Sequence, residues 1–234
     1  MDKIYGRKPV IDAIDSGVKI YRAYIVKQKS KIIDNIIKKL ERAHVEINFV
    51  DKRFFDKIDM NHQGVCVEVE SFKYKDLKDL DKYQRLIILD KIEDPHNLGA
   101  IIRSAESFGF DGVIIPERRS ASVSPIVYKT SAGAINNINI IMVKNINRAI
   151  EEIKEAGFWV YGLAGEASTN IEQTDLKGKV CLVVGNEGKG ISRLVRKNCD
   201  ILINIPMKGF VNSLNASVAS AIAMYEVLRQ NGFD

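Results

Sequence analysis

The chain has 234 residues, of which 46% are hydrophobic and 28% charged, so one or two domains with a real core can form and a disordered chain is excluded. The net charge of +5 is unevenly distributed: residues 1–75 contain 16 Lys and Arg against 11 Asp and Glu, whereas residues 86–234 contain 16 of each. A basic segment beside a neutral one favours nucleic-acid binding by the first, although a solvated lysine-rich surface would have the same composition.

Residues 1–71 are predicted to form a small α/β module. Its strands are indicated by YRAYIV, VEINFV and GVCVEVE, which are rich in β-branched and aromatic residues. Helices are predicted over PVIDAIDSG, which Gly17 ends, over KIIDNIIKKLERA, which Ser30 caps, and over KRFFDKI. The charged stretch KYKDLKDLDKYQR has no sustained apolar face, so residues 72–85 are predicted to be a linker.

Residues 86–234 are predicted to form a second α/β module around a largely parallel sheet. Short apolar runs typical of strands buried on both faces occur at LIILD, GVIIP, INIIMV, FWVYGLA, VCLVVG and ILINIP. Helical segments separate most of them, notably NLGAIIRSAESFGF, NRAIEEIKEAG and LNASVASAIAMYEVLRQNG. Ligands of such folds bind at the carboxyl ends of the strands, so polar residues at these ends are the candidate functional residues.

The first strand end with unexpected polar residues is EDPHN. Asn97 is predicted to cap the following helix, which on its own needs no functional explanation. Arg103 lies six residues later and interrupts the small and apolar sequence GAIIRSAESFGF. It is either an ion-paired residue on the helix surface or a group that binds an anion, and we favour the anion.

The second strand end is the glycine-rich sequence GNEGKG, which contains Gly185 and Glu187. Glycines here allow backbone N–H groups to approach a ligand closely. The spacing matches neither the P-loop nor the G-x-G-x-x-G dinucleotide motif, which disfavours a nicotinamide-dependent oxidoreductase on a doubly wound sheet. The Glu187 carboxylate would repel phosphates and suits a cationic or hydroxyl-bearing ligand.

The third strand end leads from IPM into SLNASVA, in which Ser213–Asn215 precede the last predicted helix. The small residues at the start of that helix would permit close packing against another segment. A plain helix cap would explain Ser213 equally well.

Other classes of site and location are disfavoured. The three histidines have no metal-ligand spacing, and the three cysteines match neither a metal knuckle nor a disulfide scaffold, so we expect no metal and free thiols. No apolar run approaches the roughly 20 residues that span a bilayer, and none follows the first ten residues. The sequence therefore predicts a cytoplasmic protein without a membrane partner.

Together the three strand ends resemble the motifs of the SpoU family of RNA ribose 2′-O-methyltransferases, in the SPOUT superfamily. The resemblance rests on an Asn followed six residues later by Arg, on GNEGKG with IPM, and on SLNASVA, in the family's order. It covers Leu86 to Gln230. The sequences IYGRKPVIDAI and NHQGVCVEV are similar to the small RNA-binding domain of the branch that methylates a guanosine of 23S ribosomal RNA.

The resemblance implies a C-terminal sheet of SPOUT type with a deep trefoil knot, S-adenosylmethionine as cofactor, an RNA substrate and a homodimer. It implies that backbone groups of Gly185, Ile205 and Leu214 bind the cofactor. The residues that it places around the reacting ribose are Asn97, Arg103, Glu187, Ser213 and Asn215. Ribosomal RNA is the expected substrate, with transfer RNA as the first alternative and an inactive RNA-binding or ribosome-assembly factor as the second.

Overall fold

The computed structural model describes residues 1–28, 30–56, 58, 61–186, 188–210 and 213–232. In chain order the helices are α1 (Arg7–Asp15), α2 (Lys31–Arg42), α3 (Pro95–Ser107), α4 (Pro125–Thr130), α5 (Ile146–Glu155), α6 (Arg193–Asn198) and α7 (Ala216–Asn231). The strands are β1 (Asp2–Tyr5), β2 (Ile20–Val26), β3 (Glu46–Val50), β4 (Val65–Val69), β5 (Arg85–Asp90), β6 (Gly112–Pro116), β7 (Asn139–Val143), β8 (Trp159–Leu163), β9 (Thr169–Asn170), β10 (Val180–Gly185) and β11 (Ile201–Asn204).

The chain divides into two compact units. The first contains Met1–Lys73 and Val123–Ala132, and the second contains Tyr74–Ser122 and Gly133–Asp234. Within the described ranges, no helix combines the length and the apolar character that a bilayer crossing requires.

The first unit is built on a four-stranded sheet in the order β1-β4-β2-β3. β2 and β3 are parallel, whereas β4 runs antiparallel to both β1 and β2. α1 and α2 cover one face of this sheet with an apolar core that includes Val10, Ile33, Ile36 and Leu40. The predicted strands and the first two predicted helices are confirmed, whereas the described residues of KRFFDKI form a short 3-10 helix over Lys52–Phe55.

α4 also belongs to the first unit, although it lies far along the chain from the rest of it. This six-residue helix packs on α1, where the Lys129 Nζ atom lies 2.7 Å from the carboxylate of the buried residue Asp12. The α4 segment has neither a long apolar run nor strong helical periodicity, and the sequence just before it is typical of a loop. The sequence therefore did not indicate its packing partner.

The second unit contains a seven-stranded sheet in the order β7-β6-β5-β10-β8-β11-β9, and every pairing within it is parallel. All six predicted strands are present. From Leu86 to Asp90, β5 is fully buried, as expected for a strand covered on both faces. The sequence predicted this parallel α/β unit and missed only β9, whose two residues are too few to produce a pattern.

Residues 74–85, which are most of the predicted linker 72–85, belong to the second unit. Lys75 bridges to Ile141 beside β7, with its backbone N donating to the Ile140 carbonyl at 2.9 Å. Leu77, Leu80 and Tyr83 pack against the apolar core on one side of the large sheet. The spacing of these three apolar residues is irregular, so no helix or strand period identified them.

Candidate active site

A cavity of about 500 Å³ lies where β8, β10 and β11 end at the same edge of the large sheet. Its described walls come from residues 163–166, 184–186, 188–190, 203–205 and 213–214, with Arg196, Met207, Ala216 and Ala219. Leu163, Val184 and Ile203 make much of the lining apolar, and backbone groups of three loops surround it. This composition suits a flat organic ligand that is recognised mainly by backbone hydrogen bonds.

The glycine-rich loop after β10 is held in a tight turn. Asn186 accepts hydrogen bonds through its Oδ1 atom from the backbone N–H groups of Gly188 (3.1 Å) and Lys189 (2.8 Å). The turn returns so close to the strand that a Cβ atom on Gly185 would lie 2.0 Å from the carbonyl carbon of Gly190. Gly185 is thus required by backbone packing, independently of any ligand.

Asp90 anchors the far end of the same loop. This residue ends β5, is 2% exposed, and accepts a hydrogen bond from the backbone N–H of Ser192 at 2.6 Å. Ser192 stands at the N-cap position of α6, but its hydroxyl forms no capping hydrogen bond. Asp90 therefore joins the end of one strand to the loop that follows its neighbour β10.

A charged pair lies on the wall of the cavity that is formed by the segment after β8. The Arg196 guanidinium forms an ion pair with Glu166, and both residues line the cavity. Hydrogen bonds from the backbone N–H of Glu166 and from Arg196 lower the pKa of the Glu166 carboxyl. The cavity therefore presents an ionised carboxylate and a guanidinium on one side of an otherwise apolar surface.

Asn215 connects the third motif with the first. Its Oδ1 atom caps α7 by accepting from the backbone N–H groups of Ser217 (2.9 Å) and Val218 (3.4 Å). Its Nδ2 atom donates to the Oδ1 atom of Asn97 at 3.0 Å. The buried Asn97 thus lies against the residue that begins the last helix, 118 positions later in the chain.

The predicted capping role of Asn97 is wrong. α3 begins two residues earlier, at Pro95, and Asp94 is its N-cap, with its side chain accepting from the backbone N–H of His96 at 2.8 Å. Proline is favoured in the first turn because its fixed φ suits the helix and its missing N–H needs no partner there. Asn97 is instead an internal residue of the first turn, directed at Asn215.

The structure brings together most of the residues proposed from the sequence. Gly185, Ile205, Ser213 and Leu214 line the cavity, and Asn97 with Asn215 forms a pair behind the start of α7. Arg103 does not line the cavity: it is exposed on α3 and forms no hydrogen bond or ion pair with the described part of the chain. Glu187 lies outside the described residues.

Sequence reasoning missed Asp90, Asn186 and the segment 163–166. Asp90 and Asn186 each stand directly at the end of an apolar run, LIILD and VCLVVGN, so their position at a strand end was a usable signal. The 163–166 segment carries no such signal, because its part in the cavity depends on β8 lying between β10 and β11.

The thiols do not contribute nucleophiles to this site. Burial raises the pKa of Cys199 to about 12 and that of Cys181 well above its usual value, so both remain protonated near neutral pH. Among the described residues, no group of three or more His, Cys, Asp or Glu side chains could hold a metal ion.

We expect the Asn215→Ala variant to lose both cap hydrogen bonds and the bond to Asn97, at a cost of about 1–2 kcal/mol of stability. Asn145→Ala is the matched control, because Asn145 caps α5 with the same pattern, accepting from Asn147 (2.9 Å) and Arg148 (3.3 Å). Thermal unfolding should show a loss of stability for both variants, larger for Asn215→Ala because it also loses the bond to Asn97, whereas only Asn215→Ala should lose the activity of the site. Equal activities would show that the Asn97–Asn215 pair has a structural role alone.

Comparison with known proteins identifies relatives of both units. Residues 84–225 match the SpoU rRNA Methylase family, and residues 3–75 match the domain described as RNA 2'-O ribose methyltransferase substrate binding. A TrmH family tRNA/rRNA methyltransferase of Staphylococcus saprophyticus is 42% identical over 98% of this chain and 96% of its own length. An uncharacterized tRNA/rRNA methyltransferase of Synechocystis is also 42% identical over the whole chain, which spans 64% of that longer protein.

Solved structures of methyltransferases are also similar to this chain over nearly its whole length. The AdoMet-bound rRNA methyltransferase from Sinorhizobium meliloti matches 97% of this chain and 86% of its own, with a TM-score of 0.64 and 27% identity. The SpoU methyltransferase AviRb from Streptomyces viridochromogenes matches with a TM-score of 0.66 over 97% of this chain and 88% of its own, at 24% identity, which supports the shared fold.

Proposed function

The chain belongs to the SpoU rRNA methylase family, and on this premise we propose that it methylates a ribose 2′-hydroxyl in structured RNA, using S-adenosylmethionine. The observation that carries the proposal is the cavity at the ends of β8, β10 and β11, because Gly185, Ile205 and Leu214 all line it. Family membership removes the nicotinamide-dependent oxidoreductase as an alternative.

The cavity residues fit S-adenosylmethionine. Apolar walls from Leu163, Val184 and Leu214 suit the faces of an adenine ring, and the Arg196–Glu166 pair suits the ligand's carboxylate and hydroxyl groups. A volume of about 500 Å³ is in the range of small-molecule sites. The AdoMet-bound relative from Sinorhizobium meliloti supports the same ligand. When bound, the cofactor supplies an electrophilic methyl group on a sulfonium.

The chain's own residues would then orient the ribose and stabilise the charge that develops on its 2′-oxygen. We assign this charge stabilisation to Arg103, because its guanidinium is exposed and makes no hydrogen bond or ion pair with a described residue. Arg103 would also hold the adjacent phosphate with two parallel hydrogen bonds. The proton of the hydroxyl would leave to that phosphate or to water. Asn97 and Asn215 would fix the start of α7 beside the reacting groups.

A guanosine of 23S ribosomal RNA is the proposed target, because the first unit resembles the branch with that substrate and carries the net positive charge. Transfer RNA is the second candidate, and an inactive RNA-binding or assembly factor is the third. Incubation with tritiated S-adenosylmethionine and separated ribosomal and transfer RNA tests all three. Label in ribosomal RNA supports the proposal. Label in transfer RNA alone would make transfer RNA the substrate, and label in neither RNA favours the inactive factor.

We further propose that the C-terminal segment is knotted and that the chain forms a homodimer through α7. Val218, Ile222 and Tyr225 recur at helical spacing on α7 and are 46%, 39% and 47% exposed. Three large apolar side chains on one helix face favour burial against another protein surface, and a second copy presents the same stripe.

We therefore expect the Ile222→Asp variant to be a monomer when the wild-type protein is a dimer, because each interface would bury two carboxylates. Light scattering coupled to gel filtration measures the mass directly. Ile32→Asp is the control, since Ile32 is a comparably exposed isoleucine (48%) on α2 of the first unit and should leave the mass unchanged. A monomeric wild-type protein would contradict the dimer.

A further inference from the structure

A second cavity, of about 640 Å³, lies in the first unit and has no assigned role. It is bounded by the start of α1, the end of β2, the 3-10 helix Lys52–Phe55 and the turn before β4. Its described lining includes Arg7, Gln28, Lys52, Phe55, His62 and Gln63. These side chains combine aromatic, cationic and amide groups, a mixture that is unlike an apolar packing defect.

The turn 61–64 that forms one wall is held in an unfavourable conformation. Gln63 has a φ of 49°, in the left-handed region that costs energy for a residue with a side chain. Arg7 holds it there: its backbone N–H donates to Gln63 Oε1 at 3.1 Å, and its Nε atom donates to the Gln63 carbonyl at 3.3 Å. Strain that is maintained by contacts 56 residues away in the chain is typical of a binding site.

The aromatic rings of His62 and Phe55 line this cavity and belong to a connected cluster of rings. The His62 ring lies parallel to the buried Phe55 ring (7°) with centroids 4.4 Å apart, and Phe54 contacts Phe55 edge-on at 5.1 Å. Phe54 is 42% exposed and stacks on Tyr24. His62 is half-buried, so one ring face is supported by Phe55 while the side chain still lines the cavity. Its Nδ1 atom accepts from the backbone N–H of Gly64 at 3.0 Å, which leaves Nε2 as the donor.

The charged groups complement a nucleotide. Lys52 is exposed at the rim, and only the Nε atom of the Arg7 guanidinium is engaged with a described residue, so its terminal N–H groups are available for a phosphate. Asp56 is the acidic residue of the described lining and offers an acceptor for base N–H groups. An unpaired base needs an aromatic face, an edge with donors and acceptors, and a nearby cation.

We propose that this cavity binds one unpaired nucleotide of the RNA substrate, with its base against His62 and its phosphate on Arg7 and Lys52. The inference rests on the proposed function, because it specifies how the first unit recognises RNA. It implies that the first unit requires an unpaired nucleotide in its RNA substrate rather than a continuous duplex.

The test compares binding of two fluorescein-labelled RNAs, a hairpin with an unpaired loop and a blunt duplex, by the full-length protein. We expect His62→Ala to weaken hairpin binding about tenfold, the usual effect of losing one base–aromatic stack, with duplex binding unchanged. Lys52→Ala should weaken hairpin binding and reduce its salt dependence. Lys38→Ala is the control for charge, since Lys38 is exposed on α2 away from the cavity.

Two results would overturn the inference: hairpin affinities that match the wild type in both cavity variants, or losses that are equal for hairpin and duplex. If His62→Ala lowers the melting temperature, its binding loss could reflect unfolding, and the comparison of hairpin binding between Lys52→Ala and Lys38→Ala then decides. Tritiated methyl transfer by the wild-type protein separates the two proposals. If the variants lose hairpin binding selectively but the wild-type protein transfers no methyl group, the nucleotide site is retained and the proposed activity is rejected. If the wild-type protein transfers the methyl group but the variants bind the hairpin normally, the proposed activity is retained and the nucleotide site is rejected.

Discussion

Replacing Gly185 with alanine should abolish S-adenosylmethionine binding and destabilise the second unit. The added Cβ would lie 2.0 Å from the carbonyl carbon of Gly190 and 2.2 Å from both the Gly190 oxygen and the Ile191 nitrogen. These are backbone atoms and no side-chain rotation relieves the overlap, so the loop must move away from β10. Overpacking of this kind costs about 1–3 kcal/mol or more, and calorimetric titration with thermal unfolding measures both effects.

Gly188→Ala is the control within the same loop. Among the described atoms, a Cβ at this position would approach only the Asn186 side-chain oxygen, at 3.9 Å, and Gly188 does not have a positive φ. Its unfolding temperature should therefore equal that of the wild-type protein. A Gly185→Ala variant that binds the cofactor with unchanged affinity would show that the glycine turn is not part of the cofactor site.

Replacing Arg103 with alanine should lower the rate of methyl transfer about 10²- to 10³-fold, the usual effect of losing a group that stabilises a developing oxyanion. Cofactor affinity should not change, because Arg103 does not line the cavity. Arg103→Lys should restore little activity, since an ammonium group cannot reproduce the planar pair of hydrogen bonds. Single-turnover transfer with saturating RNA measures the chemical step.

Arg148→Ala is the matched control for the loss of one exposed arginine in the second unit. Arg148 forms a surface ion pair with Glu152 on α5, and such pairs contribute little stability. Its transfer rate should remain at the wild-type value. Full activity in Arg103→Lys would remove the need for the guanidinium, and full activity in Arg103→Ala would remove Arg103 from the mechanism.

The strands of the second unit could be predicted because burial on both faces leaves a direct mark on the sequence. LIILD and VCLVVG are almost entirely apolar, and both become fully buried strands at the centre of the sheet. The ends of such strands then indicated where polar residues should converge. The family resemblance then assigned Gly185 and Leu214 to the cofactor, and both line the cavity.

Contacts between distant segments could not be predicted in the same way. The hydrogen bond from Asn215 to Asn97 joins residues 118 positions apart, and that from Ser192 to Asp90 joins residues 102 positions apart. Local patterns contain no information on such pairs. The N-cap of α3 was predicted wrongly for a related reason. Asn97 and Asp94 are both good capping residues, and only the start of the helix at Pro95 shows that Asp94 is the cap.

The chemical form of the RNA product tests the central claim most directly. RNA labelled with tritiated S-adenosylmethionine is hydrolysed in alkali, which cleaves each linkage through its free 2′-hydroxyl. A methylated 2′-oxygen blocks that cleavage, so we predict that the label remains in alkali-resistant dinucleotides, with 2′-O-methylguanosine as the labelled nucleoside after enzymatic digestion. Label recovered in mononucleotides with methylated bases would contradict ribose methylation.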